Sequence, residues 1–347
     1  MKRMSFLIIL VVFALVFGAC STQKKKRYEA EFLFLFDTAT TVIGYAQSEE
    51  EFQEEVQLLY DQLQEYHQLY DIYNEYEGLN NIKTINRNAG IAPVVVDERI
   101  IDLLLFSKDI YNITEGKLNV AFGSVLRVWH TYRTNGIDDP GSAKLPTMQE
   151  LQKAAGHTGI ENIVIDREAS TVFLKDMDVQ LDVGGIAKGY AVEEVAQYLQ
   201  EKGYTDFLIS VGGNVRAVGF RGDGQTFWKV GIQNPDKESD QKILMNTMLK
   251  DCALVSSGDY LRYYTVDDVE YHHIINPDTL FPAQFFDAVT IISPDSGFSD
   301  ALSTAVFNMP FEEGYAFIES LEDTEALWIF KDGRIKESSG FSRWIEQ

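Results

Sequence analysis

Asp300 and Thr304 have the residue types and the spacing of oxygen ligands for a metal ion. They lie one helical turn apart in an apolar segment with helical periodicity, so both oxygens are expected on one side of a helix. A carboxylate and a hydroxyl together suit a hard cation. The alternative is that Ser299 or Asp300 caps the start of this helix. Both interpretations can hold, because one side chain suffices for the cap.

A glycine-rich turn at 184–189 has the composition of an anion-binding site. Apolar residues predict a strand at 179–183 before it, and helical periodicity predicts a helix at 190–202 after it. Unpaired backbone N–H groups and the positive end of a helix dipole would meet at the turn, which suits a phosphate. Because Lys188 precedes Gly189, the turn is not a Walker A loop, and it also lacks the dinucleotide-binding pattern. A purely structural turn remains the alternative.

The adjacent residues His272 and His273 offer a general base. On a strand their side chains point to opposite faces, so at most one faces a given pocket, and this geometry disfavours a zinc pair. A single imidazole there could take up a proton near neutral pH. Tyr73 could stack on a planar ring, although most of the 17 tyrosines must be packing residues.

The segments that position these groups alternate between helical and extended patterns. The N-terminal half predicts, in order, a strand pair within 29–47, a helix at 49–70, a loop at 71–88, a strand at 93–96 and a helix at 97–111. Glycine and proline break the pattern at 134–147, which predicts a junction between subdomains or the cap of a helical insertion. We therefore expect an α+β fold of mixed, largely antiparallel sheets with packed helices. Its ligand cleft should lie between a helical N-terminal part and a strand-rich part.

The N-terminus has the pattern of a lipoprotein signal peptide over residues 1–19. Two basic residues precede an apolar core of about 12 residues, shorter than the ~20 that a membrane-spanning helix needs. Small residues precede Cys20, whose thiol would carry lipid; a cleaved signal with an incidental cysteine is the alternative. We expect a lipidated Cys20 and tether at 20–30, and a single domain at 31–345. The protein would be anchored to membrane lipid in a bacterium, facing outside the cytoplasm.

Charge and cysteine content exclude several classes of site. The net charge of −23 comes from 53 acidic and 30 basic residues, and an acidic surface repels nucleic acid, which is therefore not an expected partner. Of the 2 cysteines, only Cys252 would remain without lipid. Neither an intramolecular disulfide nor a cysteine-based zinc site is expected.

Five segments resemble, in this order, the ApbE family of FAD:protein FMN transferases. They lie at 181–191, 210–216, 255–260, 272–277 and 300–305, and the resemblance extends over roughly 36–330. Each segment alone is weak evidence, but five with matching separations are specific. The resemblance implies an ApbE-like fold.

The resemblance also implies a reaction and the residues for it. FMN would pass from FAD to a threonine hydroxyl of a partner redox flavoprotein through a phosphoester bond, with release of AMP. Mg²⁺ would be bound by the Gly185 carbonyl, Asp300 and Thr304, and His273 would be the catalytic base. The residues expected to line or close the FAD site are Tyr73, Lys117, Leu118, Asn119, Asp182, Lys188, His273 and Ile275. The alternatives are hydrolysis of FAD to FMN and AMP at the same site, and a lipoprotein that binds flavin without chemistry.

The chain departs from the family pattern at three places. Residues 117–120 read Lys-Leu-Asn-Val where Ala-Phe-Asp-Pro is usual, so the flavin contacts there need not be those of the family. Position 276 is Asn where Asp is usual. Leu280 replaces a turn glycine, so we expect a turn conformation that Leu tolerates.

Overall fold

The computed structural model describes residues 25–222, 224–260 and 262–346. The signal peptide predicted at 1–19 and Cys20 lie outside these residues.

The strands are β1 (Lys26–Leu35), β2 (Thr38–Ala46), β3 (Val94–Val95), β4 (Ile163–Asp166), β5 (Thr171–Leu174), β6 (Phe207–Val211), β7 (Asn214–Val218), β8 (Trp228–Gln233), β9 (Ile243–Leu249), β10 (Cys252–Gly258), β11 (Tyr263–Val266), β12 (Val269–His272), β13 (Phe286–Ser293), β14 (Glu325–Phe330) and β15 (Ile335–Glu337). The helices are α1 (Glu49–Tyr70), α2 (Ile82–Arg87), α3 (Glu98–Ile113), α4 (Gly123–Asp138), α5 (Met148–Ala155), α6 (Ala187–Glu201), α7 (Ser296–Phe307) and α8 (Phe311–Glu319). Within the described ranges, none of the helices combines the length and the apolar character needed to span a membrane.

An 8-stranded sheet organises the molecule, in the order β1-β2-β6-β7-β10-β13-β14-β15. Every neighbouring pair in it is antiparallel. Three small sheets accompany it: β3-β5-β4, β11-β12 and β8-β9. The α+β class with antiparallel sheets and packed helices is confirmed.

Both faces of the large sheet are buried. The alternation along each strand sends Phe207 and Ile209 of β6 toward a core shared with α1, α3, α6 and α7, whereas Leu208 points to a second core on the opposite face. The second core is covered by the β8–β9 hairpin, through Trp228, and by Phe341 near the C-terminus. The helices therefore occupy one face of the sheet, and the loops at its edge on that side can form a cleft.

A third, smaller core joins α4 and α5 to the β11–β12 hairpin, and it contains Val125, Trp129, Leu151 and Tyr264. The segment 134–147, predicted to be a break, continues α4 as far as Asp138 and then forms the connection to α5. Among the predicted alternatives, this corresponds to the end of a helical insertion.

The predicted tether at 20–30 is too long. Strand β1 already begins at Lys26, which pairs with Ala46 of β2. The physical reason is an alternation of apolar and charged residues: Tyr28 packs on Phe52 with ring centroids 5.5 Å apart, while Glu29 between the inward-facing residues stays exposed.

Two further local predictions were wrong. The segment 71–88, expected to be a loop, contains helix α2, whose N-terminus is capped by Asn81 in a reciprocal capping box with Thr84. The segment 179–183, expected to be a strand, is extended but belongs to none of the sheets; Gln180 makes an isolated bridge to Phe122. Asn86 of α2 replaces a neighbouring strand, because its side chain binds the backbone N–H of Leu181 at 2.6 Å and the carbonyl of Leu181 at 2.9 Å.

Candidate active site

A cavity of about 500 Å³ lies between the α2–α4 region and the edge of the large sheet. It is lined by every site residue predicted from the sequence apart from Cys20, which lies outside the described residues. These residues are Tyr73, Lys117, Leu118, Asn119, Asp182, Gly185, Lys188, His273, Ile275, Asp300 and Thr304. Segments more than two hundred residues apart in the chain therefore converge on one cavity.

Close packing of α6 against α7 positions the carboxylate of Asp300. Its Oδ2 accepts a hydrogen bond from the backbone N–H of Gly189 at 2.8 Å, and the residue is only 3% exposed. A Cβ atom at position 189 would lie 2.3 Å from the Asp300 Cβ and 2.3 Å from the Ser296 carbonyl oxygen, so only glycine permits this approach. Lys188 Nζ lies 3.9 Å from Asp300 Oδ1.

Asp300 does not cap its helix. Helix α7 begins at Ser296, and the cap is Asp295, whose side chain accepts from Phe298 N–H at 2.7 Å. The cap predicted at Ser299 or Asp300 is therefore wrong, because the helix starts a full turn earlier than its apolar pattern indicates. The Asp300 carboxylate is free of the capping role and faces the cavity.

Gly185, Asp300 and Thr304 have the chemistry of a magnesium site. A Cβ atom at Gly185 would lie 3.5 Å from Thr304 Oγ1, so the glycine brings the backbone close to that hydroxyl. Thr304 Oγ1 also lies 3.4 Å from Ser257 Oγ on β10. A carboxylate, a hydroxyl and a backbone carbonyl form an oxygen-only donor set, which fits Mg²⁺.

The turn before α6 is held by hydrogen bonds to the loop that precedes α4. Asp182 N–H donates to the Val120 carbonyl at 2.8 Å, and Asp182 Oδ1 accepts from Gly184 N–H at 2.9 Å. Burial raises the pKa of the Asp182 carboxyl, and the Gly184 N–H opposes part of that rise. Asp182 is thus a cavity carboxyl whose pKa lies above its ordinary value.

The side chains of residues 117–119 are engaged with the protein itself. Lys117 Nζ forms ion pairs with Asp278 at 2.7 Å and Glu313 at 3.7 Å. Asn119 donates to the Thr158 carbonyl at 2.8 Å and accepts from Ala121 N–H at 2.9 Å. These residues line the cavity as predicted, but their polar groups are already paired, so the backbone is what they offer to a ligand.

Both histidines line the cavity, so the expectation that at most one would face it is wrong. Strand β12 ends at His272, and the alternation of a strand therefore does not extend to His273. His272 is 4% exposed and its Nε2 lies 2.7 Å from the Ala283 carbonyl oxygen. His273 lies at the cavity, and its buried Nδ1 has no hydrogen-bond partner among the described residues. Burial, reinforced by the charges of Arg262 and Arg133, lowers the pKa of His273 to about 3. Its imidazole is therefore neutral and able to accept a proton.

The turn at 276–280 differs from its prediction. Leu280 has a φ of +64°, the left-handed conformation that favours glycine, where a conformation tolerated by Leu was expected. Hydrogen bonds impose it: Leu280 N–H donates to the Asn276 carbonyl at 2.8 Å, and its carbonyl accepts from Trp129 Nε1 at 2.9 Å. Asn276 is buried and its amide donates to the Asn308 carbonyl at 2.9 Å, a bond that a carboxylate could not make.

Sequence reasoning missed the wall of the cavity formed by α4. Its side chains at Leu126, Trp129, His130 and Arg133 follow helical spacing and face the cavity together. The His130 ring lies 5.4 Å from the Tyr73 ring, and its Nδ1 is 3.0 Å from Arg133 Nη2. The periodicity 126, 129, 130, 133 was the available signal.

A second group of metal-ligand types lies outside this cavity. His157, Asp176 and Asp178 place one ligand atom each within 4.8 Å of one another. His157 Nδ1 is hydrogen-bonded to Asp176 Oδ2 at 2.7 Å, and Asp178 is exposed. Hydrogen bonds within the group account for its geometry.

Similarity to known proteins extends over most of the chain. The chain matches the ApbE family over residues 36–328. It belongs to the ApbE family. A relative from Treponema pallidum (strain Nichols), named FAD:protein FMN transferase, is 34% identical over 272 residues, which are 75% of this chain and 73% of the relative. A relative of the same name from Klebsiella pneumoniae (strain 342) is 28% identical, over 78% of this chain and 84% of the relative. The chain is an enzyme of the transferase class.

Solved structures of ApbE proteins share the fold. The ApbE protein of Thermotoga maritima superposes with a TM-score of 0.79 at 26% identity, over 93% of this chain and 100% of the other. The flavin transferase ApbE from Vibrio cholerae superposes with a TM-score of 0.74 at 25% identity, over 92% of this chain and 100% of the other. The ApbE-like architecture is confirmed.

Proposed function

We propose that the protein transfers FMN from FAD to a threonine hydroxyl of a partner flavoprotein and releases AMP, with Mg²⁺ as cofactor. One observation carries the proposal: the oxygen donors of Gly185, Asp300 and Thr304 share a single cavity with the Lys188 ammonium and the neutral His273 imidazole. The names of the ApbE relatives support the choice of FAD as donor and of a protein as acceptor.

The magnesium ion would be held by the Gly185 carbonyl and the side chains of Asp300 and Thr304. When bound, it would neutralise negative charge on the phosphates of FAD. Asp300 is preorganised for this task because the Gly189 N–H already orients its carboxylate. Lys188, 3.9 Å from that carboxylate, would add a positive charge on the same side of the diphosphate.

In the transfer, the threonine oxygen of the acceptor would form a bond to the phosphorus of the FMN moiety. The bond between that phosphorus and the oxygen bridging to the AMP phosphate would break, and the electron pair would leave with AMP. The threonine proton would pass to His273, whose partner-free Nδ1 and lowered pKa keep the imidazole neutral before the reaction.

We also propose that Cys20 carries a lipid anchor and that the protein meets its partner flavoprotein outside the cytoplasm. From Cys20 to Lys26 the chain can reach at most roughly 20 Å. Strand β1 is about 34 Å long, and Asp37, just beyond its end, lines the cavity.

The test uses the full-length chain in detergent with FAD and Mg²⁺, with and without a flavoprotein domain that carries a candidate threonine. Covalent flavin on the acceptor and free AMP are both followed by mass spectrometry. We expect the acceptor to gain one FMN, and Asp300→Ala to reduce the rate by more than about one hundredfold, since a charge held against phosphate contributes several kcal/mol. Asp332→Ala, in an exposed ion pair with Arg334, is the control.

The other two functions predict different products. AMP without an adduct on any acceptor would replace the proposal with FAD hydrolysis. Binding of FAD without AMP or adduct would replace it with a flavin-binding protein.

A further inference from the structure

Two arginines in the cavity have no carboxylate partner among the described residues. Arg133 comes from α4 and Arg262 from the segment just before β11, and both line the cavity. The polar contact of Arg133 is His130 Nδ1 at 3.0 Å, itself a ring nitrogen rather than an anion. In a chain with 53 acidic and 30 basic residues, guanidinium groups that face a cavity without an acid point to an anionic ligand.

Three acids line the same cavity, Asp37, Asp182 and Asp300, and none forms an ion pair with either arginine among the described residues, although the charge of Asp182 acts on Arg133. Asp182 accepts from Gly184 N–H, and Asp300 accepts from Gly189 N–H. Burial lowers the pKa of Arg133, so the half-buried guanidinium is held in surroundings that oppose its charge. A bound anion would relieve that cost.

The arginines face the part of the cavity where the reaction is proposed. Their charges act on His273, and Arg262 has the larger influence of the two on its imidazole. Asp300 and Thr304 lie with Lys188 at the α6–α7 side, whereas Arg133 comes from α4. A diphosphate between the two walls would meet positive groups on both sides.

We propose that Arg133 and Arg262 bind the diphosphate of FAD from the wall opposite the magnesium site. This inference rests on the proposed function, since it assigns further binding residues to the same reaction. The planar fork of a guanidinium matches two phosphate oxygens at once, and two such groups match the two negative charges of a diphosphate. Next to Arg133, the ring of His130 on α4 packs against the ring of Tyr73.

The test compares FAD with riboflavin, which lacks both the diphosphate and the adenosine. The dissociation constants of FAD and of riboflavin, which has no phosphate, are measured by flavin fluorescence on the full-length protein, with EDTA and again with Mg²⁺. We expect Arg133→Gln and Arg262→Gln each to weaken FAD binding about ten- to one-hundredfold, the range for a lost charged hydrogen bond. Riboflavin binding should change by less than about twofold.

Two variants sharpen the result. Arg127→Gln changes another arginine of α4 that is exposed outside the cavity, and it should leave both constants unchanged. Arg133→Lys keeps the charge without the fork, so it should recover part of the FAD affinity.

Four outcomes would overturn the inference. Equal losses for FAD and riboflavin would mean that the arginines support packing of the site. Unchanged FAD binding with a raised KM for the acceptor protein would mean that they recognise the acceptor. Unchanged FAD binding and unchanged transfer would leave them without a role, while the proposed function would stand; a wild-type protein that binds no FAD would remove both.

Discussion

The two walls of the cavity are built in different ways. On the α6–α7 wall, backbone atoms approach so closely that Gly189 admits no side chain, and Asp300 is buried with its carboxylate already oriented. On the α4 wall, long side chains such as Arg133 project from a helix surface and meet other side chains. The first wall can hold a small ion at fixed distances, whereas the second can adjust to a larger ligand.

The contacts that stabilise the two walls differ as well. Glu193 of α6 accepts from Arg216 of β7 at 2.8 Å and from the Ser296 N–H, the first residue of α7, also at 2.8 Å. One carboxylate thus ties a helix, a strand and the start of the helix that carries Asp300. Within the described residues, α4 has its own small core with α5 and the β11–β12 hairpin, so its wall does not depend on that carboxylate.

The largest effect is expected from Glu193→Ala, which removes the support of the α6–α7 wall. Arg216 would remain buried with its bond to the Ala217 carbonyl but without a carboxylate partner, and Ser296 N–H would lose its acceptor. We expect a loss of about 3–5 kcal/mol in the free energy of unfolding, measured by chemical denaturation. Asp332→Ala, in an exposed pair, should change it by less than about 1 kcal/mol. Similar losses for the two variants would show that the buried pair is not special.

Gly189→Ala tests the close contact itself. The new Cβ would lie 2.3 Å from atoms of α7, so the two helices must separate. Overpacking of this kind costs about 1–3 kcal/mol in the free energy of unfolding. Transfer activity should fall further than stability predicts, because Asp300 loses the N–H that orients it. Gly141→Ala, where the nearest atom would lie 3.6 Å away, should be neutral in both measurements. An active Gly189→Ala enzyme would argue against a fixed α6–α7 wall.

The influence of the α4 wall is expected to be smaller and visible as a pH dependence. A pKa of about 3 keeps His273 neutral above pH ~4, so kcat/KM should not fall through its protonation between pH 8 and 5. With an ordinary pKa near 6.5, the rate would drop about tenfold by pH 5.5.

Removal of the positive charges should raise the pH at which kcat/KM begins to fall on the acid side. In the double variant Arg133→Gln with Arg262→Gln, the imidazolium is repelled less, so the pKa of His273 rises and the fall begins at a higher pH. Burial, the larger cause of the low pKa, remains, so the shift is only partial. The profile of Arg127→Gln should match the wild type. A wild-type profile that already falls near pH 6.5 would contradict the neutral histidine.

Local patterns were sufficient to predict much of the fold. The helix at 49–70 has the predicted bounds, because it has a clear apolar period. Helix α2 was missed because it has only 6 residues, too few for a period, and depends on the Asn81 cap. Segment 179–183 resembled a strand because its apolar residues are buried, yet Asn86, far away in sequence, satisfies its backbone.

The roles of the site residues stay predictions, but their convergence is now visible. Spacing along the chain predicted that Asp300 and Thr304 share a helix face, and both line the cavity. It could not predict that the side chain of Asn119 donates to the Thr158 carbonyl, or that Lys117 pairs with Asp278, because those partners are distant in sequence.

The sequence by itself determined the periodic elements, the glycines that allow close approach and the oxygen donors of the α6–α7 wall, because these depend on the order of neighbouring residues. Tertiary structure alone decided the neutral state of His273, the lack of a carboxylate partner for Arg133 and Arg262 among the described residues, and the left-handed turn at Leu280. Each of these depends on burial, charge or a hydrogen-bond partner brought from a remote part of the chain, and such effects leave no mark in local spacing.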